Sequence, residues 1–201
     1  MARTTSQFRS GLLMNGNFET GSGSQAGAGW IGSEFNFWRM NDAAGTASFD
    51  TSTFHGGSQS LKIVKNSAGG VLSINNINDT DLTTLAYHGL KVLPSTSYNY
   101  SIWYKTDGTT GPRIQLHEYS SSAFLQTYFN TILSTPTVWT NYQTTFTTGT
   151  AVVNVAVVPG RYNGGEGGDG TFAYFDDIQI QQTSRTTASA RSVASVRSAA
   201  V

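Results

Sequence analysis

The sequence predicts an all-β protein that folds as a two-sheet antiparallel β-sandwich with flexible termini. Charged residues make up only 12% of the chain, against roughly 25% in an average soluble domain, and Thr, Ser, Asn and Gly take their place. Short runs with a period of two residues recur along the chain, and no convincing amphipathic helix accompanies them. Two packed sheets are the architecture that best buries so many antiparallel strands.

Strand-like runs follow one another from residue 11 to residue 180, separated by turn residues. They are, in order, GLLMNGNFE (11–19), TASFD (46–50), QSLKIVK (59–65), GVLSINN (70–76), SYNYSIWYK (97–105), PRIQLHEY (112–119), WTNYQTTFTTGT (139–150), AVVNVAVV (151–158) and TFAYFDDIQI (171–180). Glycine-rich loops at 21–29 and 163–170 interrupt them. The pattern predicts about eight to ten strands.

Two of these runs alternate clearly between faces, and an Asp107–Gly108 turn between them predicts a hairpin. The alternation places the following side chains on core positions: Tyr98, Tyr100, Ile102, Tyr104, Ile114 and Leu116. Trp139 and Phe146 have core spacing as well. The opposite face carries Trp103 and Lys105 on the first run, and Arg113, Gln115, His117 and Tyr119 on the second.

Both ends of the chain differ in composition from the region between them. The sequence predicts a basic N-terminal arm at 1–11, a β-sandwich domain at 12–182 and a low-complexity Arg/Ser/Ala tail at 183–201. The ends (1–11 and 181–201) carry five Arg and no acid. Segment 12–180 carries 7 Lys or Arg against 12 Asp or Glu, which gives −5. The tail cannot bury enough apolar surface to fold alone, so we expect it to be flexible unless a partner orders it.

Several classes of protein are disfavoured by what the sequence lacks. The chain has no Cys, which excludes disulfides, thiolate metal sites and a cysteine nucleophile. No apolar run reaches membrane-spanning length, and the start lacks the apolar stretch of a secretory signal. Five Arg spread over two ends are too sparse to predict nucleic-acid binding. We therefore expect neither a membrane nor a nucleic-acid partner, and the location stays open between a virion and an extracellular surface.

Three segments together resemble the calcium-containing jelly-roll carbohydrate-binding modules attached to glycoside hydrolases. They are LLMNGNFETGS with the later GW, HGGSQSLKI with PSTSYNYSIWYKTDG, and GTFAYFDDIQI. They occur in the family's order and span 12–180. The resemblance implies a jelly-roll sandwich related to galactose-binding-like domains, and a virion- or phage-associated member would fit the basic ends.

The resemblance also implies a structural calcium ion that joins the first and last strands. The corresponding positions are Asn17 or Glu19, the backbone around Gly57 to Ser60, and Asp176. Asp176 shares alternation with Ile178 and Ile180, which predicts that it points toward the core, where a carboxylate needs a cation or hydrogen-bond donors. The alternative is that Asp176 or Asp177 accepts bonds from backbone amides without a metal.

Sugar binding in this family uses aromatic rings that stack on pyranose faces beside planar hydrogen-bonding side chains. The candidate lining comprises Trp103, Lys105, Arg113, Gln115, His117, Tyr119, Asn154 and Arg161. The alternative is that a loop covers this face and that Trp103 and Tyr119 form a second-layer core.

An enzyme is not predicted. Glycoside hydrolysis needs two facing carboxylates. Glu118 shares alternation with Ile114 and Leu116, which indicates a sheet edge, and Glu166 lies in a glycine-rich loop typical of solvated charge. Two functions remain: a non-catalytic module that binds a glycan or polysaccharide, or a structural virion or phage component. In the second, the basic ends would dock onto neighbouring subunits.

Overall fold

A computed structural model describes residues 13, 15–26, 29–30, 38–40, 44–66, 72–76, 89–162 and 166–183 of the chain. These residues form thirteen strands and no helix, which confirms the predicted all-β class. Within these residues there is no helix that is long and apolar enough to span a membrane. The arm at 1–11 and the tail, apart from Thr183, lie outside the described residues.

The strands form two antiparallel sheets, which confirms the predicted sandwich. The six-stranded sheet has the order β1 (Ser24–Ala26), β4 (Gly45–Asp50), β5 (Ser60–Lys65), β13 (Phe172–Gln182), β8 (Ser97–Thr106), β11 (Thr140–Thr147). The seven-stranded sheet has the order β10 (Phe124–Ile132), β9 (Arg113–Tyr119), β12 (Asn154–Tyr162), β6 (Leu72–Asn76), β3 (Trp38–Met40), β2 (Gly29–Trp30), and β7 (Leu90–Lys91) also pairs with β12.

The core lies between the sheets and is built from alternate residues of the central strands. All the alternating positions predicted from the two clear runs are buried: Tyr98, Tyr100, Ile102, Tyr104, Ile114 and Leu116. Val155 and Val157 of β12, with Phe175 of β13, complete the packing at the centre. Burial of this apolar surface is the main stabilising contribution to the sandwich.

The predicted hairpin between β8 and β9 is wrong. β8 pairs with β11 and β13, whereas β9 pairs with β10 and β12 in the other sheet. The connection at 107–112 therefore crosses from one sheet to the other. Asp107 stabilises this connection with its carboxylate. Its Oδ2 accepts the backbone N–H of Phe172 at 3.1 Å, and its Oδ1 accepts that of Thr109 at 2.9 Å.

Three further expectations are corrected by the structure. Residues 15–17 form a turn and not part of a strand at 11–19, and Gly16 accepts the backbone N–H of Ile178 at 2.8 Å. Trp139 lies outside the core, at 6.4 Å from Tyr174 between ring centroids on the outer face of the six-stranded sheet. Strand β10 was not predicted, although it runs for nine residues at a sheet edge.

Candidate functional site

The outer face of the seven-stranded sheet collects most of the side chains predicted to bind a ligand. Arg113, Gln115, His117 and Tyr119 alternate along β9 with the buried core residues of that strand. Asn154 of β12 is paired in register with Tyr119, and Arg161 with Arg113. Five of these residues define what we call the β9 face: Arg113, Gln115, His117, Tyr119 and Asn154. The side chain of Arg161 is not described.

An aromatic cluster occupies one end of the β9 face. The ring of Phe124, from β10, meets His117 edge-on at 5.7 Å and Tyr119 edge-on at 5.6 Å between centroids. His117 and Tyr119 lie 6.5 Å apart. Phe124 is 51% exposed, so the cluster presents an apolar ring to solvent next to two rings that also carry polar atoms.

Planar hydrogen-bonding groups continue the β9 face from the aromatic cluster. The Oε1 atom of Gln115 lies 3.3 Å from Nε2 of His117. Gln115 and Tyr119 are almost fully buried, as are Ala156 and Val158 beside them on β12. His117 and Asn154 are partly exposed. The β9 face therefore has a buried, mainly apolar base, with partly exposed amide and imidazole groups able to bind hydroxyls.

An ion pair closes the other end of the β9 face. The guanidinium of Arg113 donates from Nε to both carboxylate oxygens of Glu166, at 2.8 and 3.0 Å, and from a terminal nitrogen to Oε1. This bond raises the pKa of Arg113. The expectation that Glu166 is a solvated charge is therefore wrong, because a two-oxygen contact fixes both side chains.

Lys65 holds the same loop from the opposite sheet. Its ammonium is fully buried and donates to the backbone carbonyl of Glu166. Its main chain also pairs with the loop, since Gly170 donates to the Lys65 carbonyl at 2.8 Å and Lys65 donates to Thr171 at 2.8 Å. Burial lowers the pKa of Lys65, while the charges of Glu166 and Asp169 oppose that shift.

Trp103 and Lys105 do not belong to the β9 face, so the predicted single lining is corrected. They lie on β8, on the outer face of the six-stranded sheet. The ring of His55 stacks on Trp103, with centroids 3.8 Å apart and planes 14° apart. A loop residue thus stacks on Trp103, which stays partly exposed. Lys105 extends over Tyr174, with Nζ 6.0 Å from the ring centroid.

The positions expected to bind calcium surround the loop at 55–60. Glu19 accepts the N–H of Ser58 at 2.9 Å and of Gln59 at 3.2 Å, and its Oε2 accepts the Ser58 hydroxyl at 2.6 Å. These bonds lower the pKa of Glu19. A Cβ on Gly57 would stand 2.2 Å from Glu19 Oε1, so Gly57 is required for this close approach. Asn17 is exposed.

Asp176 joins the other end of the same loop. It is fully buried, and its Oδ2 accepts the N–H groups of His55 at 2.9 Å and Gly56 at 3.1 Å. It lies opposite Trp103 in the β8–β13 ladder, so the predicted core-facing orientation is wrong. The reason is a register shift after Asp176, where Asp177 has φ of 46° and reverses the alternation before Ile178.

Asp176 offers a carboxylate oxygen, which is one of the ligands that calcium takes. Burial raises the pKa of Asp176, and the three amide donors oppose that shift only in part. Its Oδ1 accepts one bond, from Asp177 N–H at 2.8 Å, which leaves a lone pair for a cation. Within the described residues no three His, Asp or Glu side chains cluster as metal ligands. Backbone carbonyls and hydroxyls such as that of Ser60 would have to complete the set.

The carboxylates near the β9 face are engaged in structural bonds. Glu118 is fully buried and accepts the Gln126 amide at 2.6 Å and the Gly149 N–H at 3.4 Å. The expected position at a sheet edge is wrong, because Glu118 lies on β9 between β10 and β12, opposite Gln126 and Val155. Glu166 is bound to Arg113. Each carboxylate is therefore used as an acceptor that fixes a strand or a loop.

Two site residues were missed by the sequence reasoning. Phe124 stands in a Ser/Ala-rich stretch without a turn signal, and only the pairing of Phe124 with Tyr119 brings it to the β9 face. Glu166 is 53 positions from Arg113, and no local pattern indicates their contact. The positive charge of Arg113 was the available signal for this contact, because a charged residue on a largely buried strand requires an acidic partner.

No protein-family model and no curated protein sequence matches this chain. Solved structures match its fold. TmCBM61, in complex with β-1,4-galactotriose, is 15% identical with a TM-score of 0.51, over 86% of this chain and 99% of that one. The CBM22-1–GH10 modules of a Clostridium thermocellum xylanase, complexed with xylohexaose, are 13% identical with a TM-score of 0.51, over 75% and 27%.

A phage protein matches the fold as well. The enzymatically active domain of tailspike protein 4 from bacteriophage CBA120 is 10% identical with a TM-score of 0.58, over 87% of this chain. This chain spans only 22% of the length of that domain. At these identities the matches establish that the fold is the jelly-roll sandwich of carbohydrate-binding modules.

Proposed function

We propose that this chain is a non-catalytic carbohydrate-binding domain that recognises a glycan at the β9 face. The observation that carries the proposal is the row of Gln115, His117 and Tyr119 beside the exposed ring of Phe124. Sugars present an apolar C–H face and a rim of hydroxyls. A binding face for them needs an aromatic ring next to fixed donors and acceptors.

The ion pair at the other end supports the same function. Arg113 is held by Glu166, which is itself held through its backbone by Lys65. A guanidinium fixed in this way keeps the donors that Glu166 does not use, and these can bind sugar hydroxyls without further ordering. The solved carbohydrate-binding modules with this fold support a glycan as the ligand class.

A glycan array followed by isothermal titration calorimetry tests the proposal. We expect at least one glycan to bind, and Tyr119→Ala to weaken binding by about tenfold or more, equivalent to about 1.4 kcal/mol. Trp103→Ala is the matched control, because it removes an aromatic ring on the other sheet and should leave the affinity unchanged. Uniformly negative arrays, with a correctly folded protein, would reject the proposal.

The non-catalytic part of the proposal is tested on the same ligand. Glu118 and Glu166 are each bound to other protein groups, whereas glycoside hydrolysis requires two carboxylates that face each other across the bound sugar. We expect the bound oligosaccharide to be recovered unchanged after prolonged incubation. Release of shorter sugars, lost in Glu118→Gln or Glu166→Gln, would overturn this part.

We further propose that calcium stabilises the loop at 55–60 through Asp176. The support is the fully buried carboxylate of Asp176, whose Oδ1 accepts one hydrogen bond, from Asp177, and keeps a lone pair for a cation. Millimolar calcium should raise the unfolding temperature of the metal-stripped protein by several degrees, and Asp176→Asn should abolish that shift. An unchanged unfolding temperature would reject the calcium proposal. Asp176 would then act only as the acceptor of hydrogen bonds from backbone N–H groups.

A structural role in a virion or phage is the second candidate. It is supported by the division of charge, with +5 on the ends and −5 between them, since oppositely charged segments of neighbouring copies attract one another. Deleting 184–201 should then abolish a large assembly that forms at low salt. An unchanged assembly state after this deletion would reject the candidate and leave glycan binding unaffected.

A further inference from the structure

One side of the sandwich is built from the longest uncharged stretch of the chain. No Asp, Glu, Lys, Arg or His occurs among the 42 residues 119–160. This stretch includes β10 and β11, which are the last strands on one side of the seven-stranded and six-stranded sheets. Tyr128 joins the two strands, because its ring lies 5.8 Å from Phe146 and its hydroxyl accepts the Thr147 N–H at 3.2 Å.

Strand β10 also exposes apolar side chains. Eight large hydrophobic residues are exposed in the described part of the chain, and four of them belong to this nine-residue strand: Phe124, Leu125, Tyr128 and Ile132. In the described residues β10 pairs only with β9, so its outer edge offers free backbone donors and acceptors. An unpaired edge with exposed apolar residues is a template for pairing with another strand.

The usual protection of such an edge is largely missing. Natural edge strands carry Lys, Pro or inward-pointing charges that prevent pairing with other chains. The sequence of β10, FLQTYFNTI, contains none of these. It does contain two register shifts, next to Leu125 and Tyr128, which bend the strand locally. The four residues after the second shift, 129–132, keep a continuous register and form the regular part of the edge.

We propose that β10 is the surface through which two copies of this chain associate, with the two β10 strands antiparallel across a two-fold axis. A two-fold axis places residue i of one strand against residue j of the other, and j against i. Because β10 carries no charge, no pairing register buries a charge in this interface. Its Thr, Gln and Asn side chains both donate and accept hydrogen bonds, so they can pair with one another across the axis.

The lack of charge in this stretch favours a second copy of the chain as the partner. A charged partner would find no counter-charge anywhere in 119–160, whereas an identical surface is neutral and apolar in the same way. The cores of protein interfaces are depleted of charge and enriched in Tyr and Phe, which matches Tyr128 and Phe124. In the dimer the seven-stranded sheets become continuous, and the two β9 faces lie side by side across the axis.

Sedimentation velocity of the full chain over a range of concentrations tests the dimer. We expect the wild type to change from a species of 21.5 kDa to one of twice that mass with rising concentration. The variant Leu125→Lys/Ile132→Lys should shift the dissociation constant upward by about a hundredfold or more, since it places charges on both halves of the two-fold interface. Both side chains are exposed in one copy, so the variant should fold.

Matched variants make the outcome decisive. Phe54→Lys changes an exposed aromatic residue in the connection between β4 and β5, strands of the other sheet, and should leave the dimer intact. Circular dichroism and thermal unfolding of each variant verify folding. A wild type that stays at 21.5 kDa at every concentration overturns the proposal, as does a dimer that survives the double lysine variant. A dimer lost on deletion of 184–201 and not in the β10 variant overturns it too.

Discussion

Glu166 accepts hydrogen bonds from Arg113 through both of its carboxylate oxygens, at 2.8 and 3.0 Å from Nε. The contact joins the glycine-rich loop to β9, which lies between β10 and β12 in the seven-stranded sheet. Because the buried ammonium of Lys65 binds the carbonyl of the same Glu166, one residue ties β5 of one sheet to β9 of the other. The position of Arg113 on the β9 face therefore depends on a loop from elsewhere in the sequence.

Replacing Glu166 tests the importance of this contact. Glu166→Gln should lower the free energy of unfolding by about 1 kcal/mol or less, because both side chains are partly exposed and water screens their attraction. Glycan affinity should fall by about threefold or more, since Arg113 is no longer held in place. Chemical denaturation and calorimetry measure the two effects. Asp169→Asn, an exposed acid of the same loop, is the control that should leave the glycan affinity unchanged.

Removing the imidazole of His55 tests the cover on Trp103. His55→Ala should lower the free energy of unfolding by about 1 kcal/mol, because it removes the stack and the bond from Nδ1 to Asp177 at 2.8 Å. Trp103 should become more exposed, which shifts the fluorescence emission to longer wavelength. Glycan affinity should stay within about twofold of the wild type. A large loss of affinity would instead place a binding site on the six-stranded sheet.

The pH dependence of stability reports on Asp176. Burial raises its pKa in the folded state, so the folded protein takes up the proton before the unfolded chain does. In metal-free buffer, acidification from neutral pH toward the ordinary carboxyl pKa should therefore increase the stability of the wild type relative to Asp176→Asn. Denaturation curves at pH 7, 6 and 5 in EDTA measure this difference. A relative loss of stability on acidification would contradict the raised pKa.

The alternation of apolar and polar residues correctly predicts which face of a strand is buried, but it does not predict how the strands are divided between the two sheets. The period of two places Tyr98 and Ile102 in the core correctly, because a strand buried on one face must alternate. It cannot state which sheet a strand joins. Trp103 and His117 both lie on outer faces, but the crossing at 107–112 separates them by the full thickness of the sandwich.

The remaining differences arise from single backbone positions and from distant contacts. One residue with positive φ, Asp177, reverses the expected direction of Asp176, and no composition signal marks such a register shift. Glu166 is bound to Arg113 by tertiary contact alone. The candidate face on β9 was therefore predictable from alternation. Its two ends were not, because Phe124 is placed by the pairing of β10 with β9 and Glu166 by its tertiary contact with Arg113.

Nuclear magnetic resonance titration with a glycan selected on the array tests the central claim most directly. Amide signals of β9 and β12, together with the ring signals of His117 and Tyr119, should shift in proportion to occupancy. The indole signals of Trp103 and Trp139, on the outer face of the six-stranded sheet, should stay unchanged. Shifts confined to Trp103, Trp139 and their neighbours, with β9 unaffected, would contradict a glycan-binding site on the β9 face.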